Sequence, residues 1–220
     1  MRHKRDSLSS ANRITLLITV AGVVLFSVMF IFKKTDWFGF WYWMSANLII
    51  LLSFVFYTDS QNLKLLVNDF KENLVKKAIL GLVFALILFM IFYFGNYLLG
   101  ILYSGAGVEI KRVYDFKQNA SDLRILILML LIIGPGEELF WRGFVQRRLE
   151  IKKGKKSGLV LATALYTVVH IFTGNIILLI AALTCGIFWG WLYQKYRSMI
   201  INMISHSLWD VMVFIILPFG

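Results

Sequence analysis

The chain is poor in cysteine, proline and charge, and each shortage excludes a class of protein. A single cysteine among 220 residues, Cys185, rules out an intramolecular disulfide framework. With two prolines and no Pro- or Ser-rich stretch there is no candidate linker, so residues 1–220 are predicted to form one domain. Charged residues make up 16% of the chain and hydrophobic ones 59%, whereas a soluble domain is about one-quarter charged. A soluble globular protein is therefore excluded.

Long apolar runs replace the missing charge, and several approach the roughly 20 residues that a helix needs to cross a bilayer. We predict an all-α, polytopic transmembrane helix bundle of about seven helices (six to eight), a single membrane domain embedded in the lipid bilayer. The N-terminal apolar stretch is too long for a signal peptide and is interpreted as a retained first helix. The predicted spans are 14–33, 37–57, 76–103, 122–149, 157–172, 175–194 and 199–217.

Three smaller features of the sequence also have structural interpretations. Residues 58–77 have apolar side chains at helical spacing, which indicates either a helix on the membrane surface or a solvated loop with a short helix. Trp37, Trp41 and Trp43 are interpreted as an interfacial aromatic belt. Cys185 is expected to pack as a small residue.

Acidic residues are scarce relative to basic ones, 12 against 23, for a formal net charge of +11. In a membrane protein this excess marks the cytoplasmic face, where lysine and arginine collect, so no nucleic-acid partner is predicted. With the N-terminus cytoplasmic, sixteen basic residues fall inside and six outside, which places the basic loop 147–156 inside. The inside residues are Arg2, Lys4, Arg5, Arg13, Lys64, Lys71, Lys76, Lys77, Arg147, Arg148, Lys152, Lys153, Lys155, Lys156, Lys195 and Arg197, and the outside ones are Lys33, Lys34, Lys111, Arg112, Lys117 and Arg124.

Three charged residues nevertheless lie inside the predicted fourth span, in the run GPGEELFWRGF at 134–144. An ionisable side chain at mid-bilayer costs about 2.5–3.5 kcal/mol, so these groups are expected to face the bundle interior. Glu138 and Arg142 are four residues apart with the acid first, which favours a structural ion pair on one helix face. Glu137 points about 100° away from that pair and has no partner in its own helix. A carboxylate in that position is expected to serve as a general base.

Two other spans also carry rare polar residues. His170 lies deep in ALYTVVHIF, and His206 and Asp210 are four residues apart in ISHSLWDVMVF. At about 1.5 Å per residue, Glu137 and His170 lie roughly 18–20 Å, and His206 roughly 12 Å, from the cytoplasmic helix ends. We therefore predict that these groups meet at one cavity that opens from the cytoplasmic half of the bilayer.

The chain lacks the signatures of three kinds of intramembrane protease: a HExxH zinc motif, a serine in a GxSG-like context, and the GxGD of aspartyl enzymes. Three other motifs resemble, in order, those of the CPBP (CAAX protease and bacteriocin-processing, or Abi) intramembrane proteases. They are Glu137-Glu138-x-x-x-Arg142, Tyr166-x-x-x-His170 and His206-x-x-x-Asp210. The resemblance covers residues 122–217, which would hold the catalytic-core helices.

The resemblance implies an intramembrane endopeptidase of the glutamic type, with metal dependence as the alternative. Glu137 and His170 would activate a water molecule, and His206 would stabilise the oxyanion of the tetrahedral intermediate. Glu138 and Arg142 would support the site, as would Tyr166, which stands where the family usually has Phe.

Asp210 departs from the family, which more often has Asn at this position. An ionised carboxylate cannot donate a hydrogen bond to an oxyanion, so Asp210 is protonated, orients His206, or ligates a metal. The family has been described both as glutamic and as metal-dependent, and His170, His206 and Asp210 would suit a catalytic Zn²⁺. We favour the mechanism without a cofactor and keep Zn²⁺ as the alternative.

The expected activity is hydrolysis of a peptide bond near the cytoplasmic half of the bilayer, in a prokaryotic cytoplasmic membrane. The protein or peptide substrate would enter from the membrane or the cytoplasmic side. CaaX-type prenylated proteins, bacteriocin or pheromone precursors and C-terminal sorting helices are all compatible with the sequence. A non-catalytic immunity or scaffold protein of the same fold remains an alternative, as does a proton-coupled transporter that uses the same residues as a relay.

Overall fold

The structure is a computed structural model, and it describes residues 2–33, 39–117 and 120–219. No strand occurs within these ranges, and the predicted all-α fold is confirmed. The α-helices are α1 (Arg2–Phe32), α2 (Phe40–Thr58), α3 (Ser60–Lys71), α4 (Leu74–Leu102), α5 (Ala106–Tyr114), α6 (Asp122–Leu128), α7 (Gly134–Glu138), α8 (Arg147–Lys153), α9 (Lys155–His170), α10 (Ile176–Tyr196) and α11 (Met199–Val211). Turns of π-helix cover Met129–Ile133, Leu139–Gln146 and Met212–Ile216, and 3₁₀ turns cover Asp115–Lys117 and Ile171–Thr173.

Six stretches of helix in the described chain are long and apolar enough to cross a membrane, which confirms a polytopic bundle. They are Asn12–Phe32, Phe40–Thr58, Leu74–Leu102, Lys155–Thr173, Ile176–Tyr196 and Met199–Ile216. The predicted span 122–149 corresponds to the helical run from α6 to α8, in which Glu137, Glu138 and Arg142 are buried inside the bundle. Trp37, together with the predicted start of the second span, lies outside the described residues.

The run from α6 to α8 owes its irregular helical geometry to the sequence Gly134-Pro135-Gly136. Proline has no N–H to donate to the preceding turn, so it interrupts the hydrogen-bond ladder of the helix. Here the π-helical turn ends at Ile133, immediately before Gly134. A Cβ atom on Gly134 would meet Oγ and backbone atoms of Ser207, so glycine is required for α7 to touch α11. This close approach brings the acidic pair of α7 against α11.

Helix α11 lies at the centre of the bundle, and α4 lies at its edge. In the span that contains α11, 61% of the residues are buried, and α11 packs against α4, α7 and the π-helical turn at 129–133. In the span of α4 only 22% of the residues are buried, so most of its apolar surface faces the bilayer. Helices α9 and α10 pack against each other, and α1 packs against α2 and α9.

Two short helices mark the two ends of the bundle. Helix α3 packs against α2 and α11 at the end that also carries the loop 153–155, and we call this the basic end. Its side chains Leu63, Val67 and Phe70 are exposed, as suits a helix on a membrane surface. Helix α5, which the sequence analysis did not predict, lies at the opposite end, where Asn175 Nδ2 donates to Glu109 O at 2.7 Å. We call this the α5 end.

Candidate active site

Glu138 and Arg142 form the predicted ion pair, and the pair is more extensively bonded than the sequence indicated. Arg142 Nη1 donates to Glu138 Oε1 at 2.8 Å, and Arg142 Nη2 donates to Cys185 O at 3.2 Å. Asn202 Nδ2 of α11 donates to Glu138 Oε2 at 2.9 Å. Glu138 is 0% exposed, and both of its carboxylate oxygens accept hydrogen bonds from protein donors. A fully buried carboxylate needs such partners to offset the loss of hydration.

His206 lies directly against this pair. Its Nδ1 is 2.8 Å from Glu138 Oε1, and because an ionised carboxylate only accepts hydrogen bonds, Nδ1 carries the hydrogen. The imidazole stacks on the indole of Trp189 with ring centroids 3.7 Å apart. Glu138 therefore orients His206 in addition to pairing with Arg142, which the sequence analysis did not foresee.

Glu137 finds a partner on a different helix. Tyr166 Oη of α9 donates to Glu137 Oε2 at 3.1 Å, and both residues are buried. The hydroxyl that distinguishes this chain from the usual Phe of the family therefore contacts the predicted general base. Glu137 Oε2 also lies 3.8 Å from His206 Nε2.

His170 is held through the same tyrosine. Its Nδ1 is 2.8 Å from the carbonyl oxygen of Tyr166, and since a carbonyl only accepts, Nδ1 is the protonated nitrogen. The neutral ring then keeps Nε2 as its acceptor. Phe30 of α1 packs against the imidazole with ring centroids 4.9 Å apart.

Asp210 shares a face of α11 with His206, as predicted from their spacing. Its Oδ2 lies 3.5 Å from His206 Nε2. Nε2 of His206 therefore lies near two carboxylates, those of Glu137 and Asp210, while Nδ1 faces a third.

These groups line one cavity of about 100 Å³, which is otherwise apolar. Its polar wall consists of Glu137, Tyr166, His170, His206 and Asp210. Trp41 and Trp209 also line it, and neither indole nitrogen has a hydrogen-bond partner within the described part of the protein. Trp41 was predicted to belong to an interfacial belt, but it is buried in the cavity wall because α2 packs against the site.

The cavity lies toward the α5 end of the bundle. Besides the polar groups, its wall includes Phe40 near the start of α2, Val113 on α5, Leu178 near the start of α10 and Phe214 beyond the end of α11. All four belong to the half of the bundle that contains α5, and His170 is the last residue of α9 at the same end. The basic loop lies at the other end. With that loop inside, the cavity would lie in the outer half of the bundle, which differs from the expected position in the cytoplasmic half.

The predicted zinc ligands His170, His206 and Asp210 line the same cavity but do not form a metal-binding cluster. Within residues 2–33, 39–117 and 120–219, no group of three or more His, Cys, Asp or Glu side chains could hold a metal ion. His206 Nε2 lies 3.5 Å from Asp210 Oδ2, whereas His170 Nδ1 is engaged by the carbonyl oxygen of Tyr166 in its own helix α9. The Zn²⁺ alternative stays a prediction.

Two residues of the site were missed from the sequence. Asn202 is fully buried and donates to both Glu138 Oε2 and Trp189 O, the latter at 2.8 Å. It lies four residues before His206, so the same helical spacing that linked His206 to Asp210 would have found it. Trp189 supports His206 from α10, a contact between helices for which the sequence contains no local signal.

A small cavity inside a membrane helix bundle, with two histidines and two carboxylates in its wall, marks a candidate functional site. Residues 119–212 match a protein-family model described as Rce1-like: Type II CAAX prenyl endopeptidase Rce1-like. The match includes all three motifs and confirms the resemblance of this part of the chain to the CPBP family. It supports an intramembrane endopeptidase that acts on a protein or peptide. No curated protein and no solved structure matches the chain.

Proposed function

We propose that the protein is a glutamic-type intramembrane endopeptidase in which Glu137 and His170 activate water and His206 binds the oxyanion. The observation that carries the proposal is the convergence of Glu137, His170, His206 and Asp210 on one buried cavity. They come from three separate spans, so their meeting is not a consequence of local helix geometry. Several ionisable groups are costly inside a membrane and are typical of a functional site.

The first step is attack by water on the scissile carbonyl. The water oxygen bonds to the carbonyl carbon while its proton passes to Glu137. The orienting hydrogen bond from Tyr166 fixes one oxygen of this carboxylate, and His170 Nε2 is free to accept a hydrogen bond from the same water. The C–N bond then breaks as Glu137 returns the proton to the leaving nitrogen.

The second requirement is stabilisation of the negative charge that develops on the carbonyl oxygen. His206 presents Nε2 to the cavity because Nδ1 is bonded to Glu138. When Nε2 is protonated, it can donate to the oxyanion, and Asp210 at 3.5 Å is placed to share that proton. Preorganised donors of this kind are worth about 10²–10³ in turnover.

The test is Glu137→Gln, which preserves side-chain size and removes the base. The purified variant should remain folded and should cleave a mixture of quenched-fluorescent apolar peptides about 10²–10⁴-fold more slowly than wild type. Glu72→Gln, the same change at an exposed position, is the matched control and should cleave normally. Near-normal turnover of the Glu137 variant would refute the role of Glu137. A folded wild-type protein that cleaves nothing would favour the immunity or scaffold alternative.

A further inference from the structure

We propose that the active-site cavity faces the non-cytoplasmic side of the membrane and takes an apolar peptide segment presented on that side. The substrate would be a translocated peptide or the outer part of a membrane-anchored one. The sidedness rests on the distribution of charge and on the cavity's position. The identification of the occupant as a peptide rests in addition on the proposed endopeptidase function.

Charge gives the bundle its orientation. Among the described residues, the segments at the basic end hold sixteen lysine and arginine residues and those at the α5 end hold five. The four lysines Lys152, Lys153, Lys155 and Lys156 flank a single tight turn and are exposed. Short loops rich in lysine and arginine remain on the cytoplasmic side, which places the basic end inside and α5 outside.

The basic end is closed by buried carboxylates that tie its segments together. Asp59, at the end of α2, accepts hydrogen bonds from Arg147 and from Arg148 of α8. Glu150 of α8 accepts hydrogen bonds from Gln146 at 2.8 Å and from Arg197 at 2.6 Å.

A third carboxylate at the basic end ties α3 to α4 and α11. Asp69 accepts from Ser198 Oγ at 3.0 Å and from the N–H of Ile200 at 2.9 Å, and it pairs with Lys77 at 2.6 Å. Helix α3 thus lies across this end of the bundle. A peptide that approached Glu137 from the cytoplasm would have to break these contacts at the basic end.

The α5 end offers apolar space instead. Beside the active-site cavity lies a second pocket of about 190 Å³ between α4, α5, α10 and α11. The two share the wall residues Val113, Leu178, Ala181, Trp209 and Phe214. Because α4 lies at the lipid-facing edge, this pocket provides a route for apolar side chains from the outer half of the bilayer to the site.

The polar features of the wall suit a peptide backbone. Trp41 and Trp209 each have a buried indole N–H that, among the residues described, has no acceptor. Such a donor is costly to leave unpaired, and the carbonyl groups of an extended peptide are acceptors of the right kind. Apart from the ionisable groups of the proposed active site, the wall is formed largely by apolar and aromatic side chains, so the preferred substrate is apolar.

Thiol labelling tests the sidedness without reference to catalysis. Cys185→Ala provides a cysteine-free parent, and its folding is checked by size-exclusion chromatography. One cysteine is then introduced at Lys111 on exposed α5, or at Lys153 in the exposed basic loop as the matched control. Intact spheroplasts that express each variant are treated with a membrane-impermeant maleimide before and after lysis.

The expected result is labelling of Lys111→Cys in intact spheroplasts and labelling of Lys153→Cys only after lysis. The reverse pattern overturns the proposal. Labelling at both positions, which indicates a dual orientation, also overturns it. So does a lack of labelling at both positions before lysis, because an exposed thiol on the outer face has to react.

Cleavage provides the second readout and separates the two proposals. Impermeant quenched-fluorescent peptides with an apolar centre and charged ends are added to spheroplasts that express wild type or Glu137→Gln. Cleavage by intact wild-type spheroplasts alone supports the outward-facing site. Cleavage only after lysis overturns the sidedness but retains the endopeptidase. An absence of cleavage even after lysis refutes the proposed function, and labelling then decides the orientation by itself.

Discussion

At the scale of single residues, Tyr166 touches both members of the proposed water-activating pair. Its hydroxyl donates to Glu137 Oε2 at 3.1 Å, and its carbonyl oxygen lies 2.8 Å from His170 Nδ1. The guanidinium of Arg142 lies 4.7 Å from the centre of the phenol ring, which places a positive charge beside the hydrogen-bonded side chain. Tyr166 is therefore a positioning residue for the general base.

We predict that Tyr166→Phe lowers kcat about ten- to hundredfold and leaves KM unchanged. The ring and the carbonyl remain, and only a hydrogen bond to a carboxylate, worth about 1.5–3 kcal/mol, is removed. Peptide cleavage kinetics measure both constants. Tyr193→Phe, at a buried tyrosine near the basic end, is the control and should match wild type in kcat. Equal kcat for wild type and Tyr166→Phe would show that the hydroxyl has no role in turnover.

Asp210→Asn tests the second departure from the family. An amide NH₂ can donate to the oxyanion, whereas an ionised carboxylate cannot, so we predict that this variant retains or exceeds wild-type turnover. Bound zinc in both purified proteins is measured beside activity. Asp122→Asn, at an exposed carboxylate, is the control. One equivalent of zinc in wild type that disappears in Asp210→Asn together with turnover would instead support the metal-dependent alternative.

At the scale of helices, the contact between α7 and α11 holds the site together. Gly134 permits the close approach, and Glu138 then bonds to Asn202 and His206 across the interface. The same carboxylate pairs with Arg142 within its own helical run. A defect in this pair should therefore affect both folding and the orientation of His206.

We predict that Glu138→Ala lowers the yield of folded protein and the thermal unfolding midpoint. Removal of one partner of a buried pair costs about 3–5 kcal/mol because the remaining charge is stranded. The double variant Glu138→Gln with Arg142→Met should recover part of the yield. Glu109→Ala, which breaks the partly exposed pair with Arg112, should have little effect on the midpoint. A Glu138→Ala protein that is fully stable yet inactive would place Glu138 among the catalytic groups.

At the scale of the whole molecule, the two ends differ in charge and in packing. One is basic and closed by ion pairs to the buried carboxylates of Asp59 and Glu150, and the other contains the cavity and the apolar pocket beside it. In the proposed arrangement the cavity is exposed to one side of the membrane only. The distribution of lysine and arginine decides which side that is.

We predict that replacement of Lys152, Lys153, Lys155 and Lys156 by Gln reduces the fraction of protein inserted with α5 outside. The matched control replaces the same four residues by Arg and keeps the charge. The thiol at Lys111→Cys reports the outward fraction in intact spheroplasts. An identical outward fraction in the Gln and Arg variants would show that other segments set the orientation.

Several features of the site could be predicted because they depend only on the helical repeat. Residues four apart lie on one face, and the pairs Glu138–Arg142 and His206–Asp210 are found together, at 2.8 Å and 3.5 Å. The number of long apolar runs likewise determined the all-α membrane bundle, and the order of three short motifs indicated the family. These are local properties of the chain, so no tertiary contact was needed to infer them.

Only the tertiary structure decided how the helices face one another. The bond from Tyr166 to Glu137 and the stacking of Trp189 on His206 depend on the rotation of each helix about its axis. That rotation is set by close approaches such as Gly134 against Ser207, which join residues far apart in sequence. The cavity's position at the α5 end follows from the same packing, because side chains from α1, α2, α7, α9, α10 and α11 have to meet before the cavity exists. Residue spacing along one helix contains no information about the neighbour that the helix will meet.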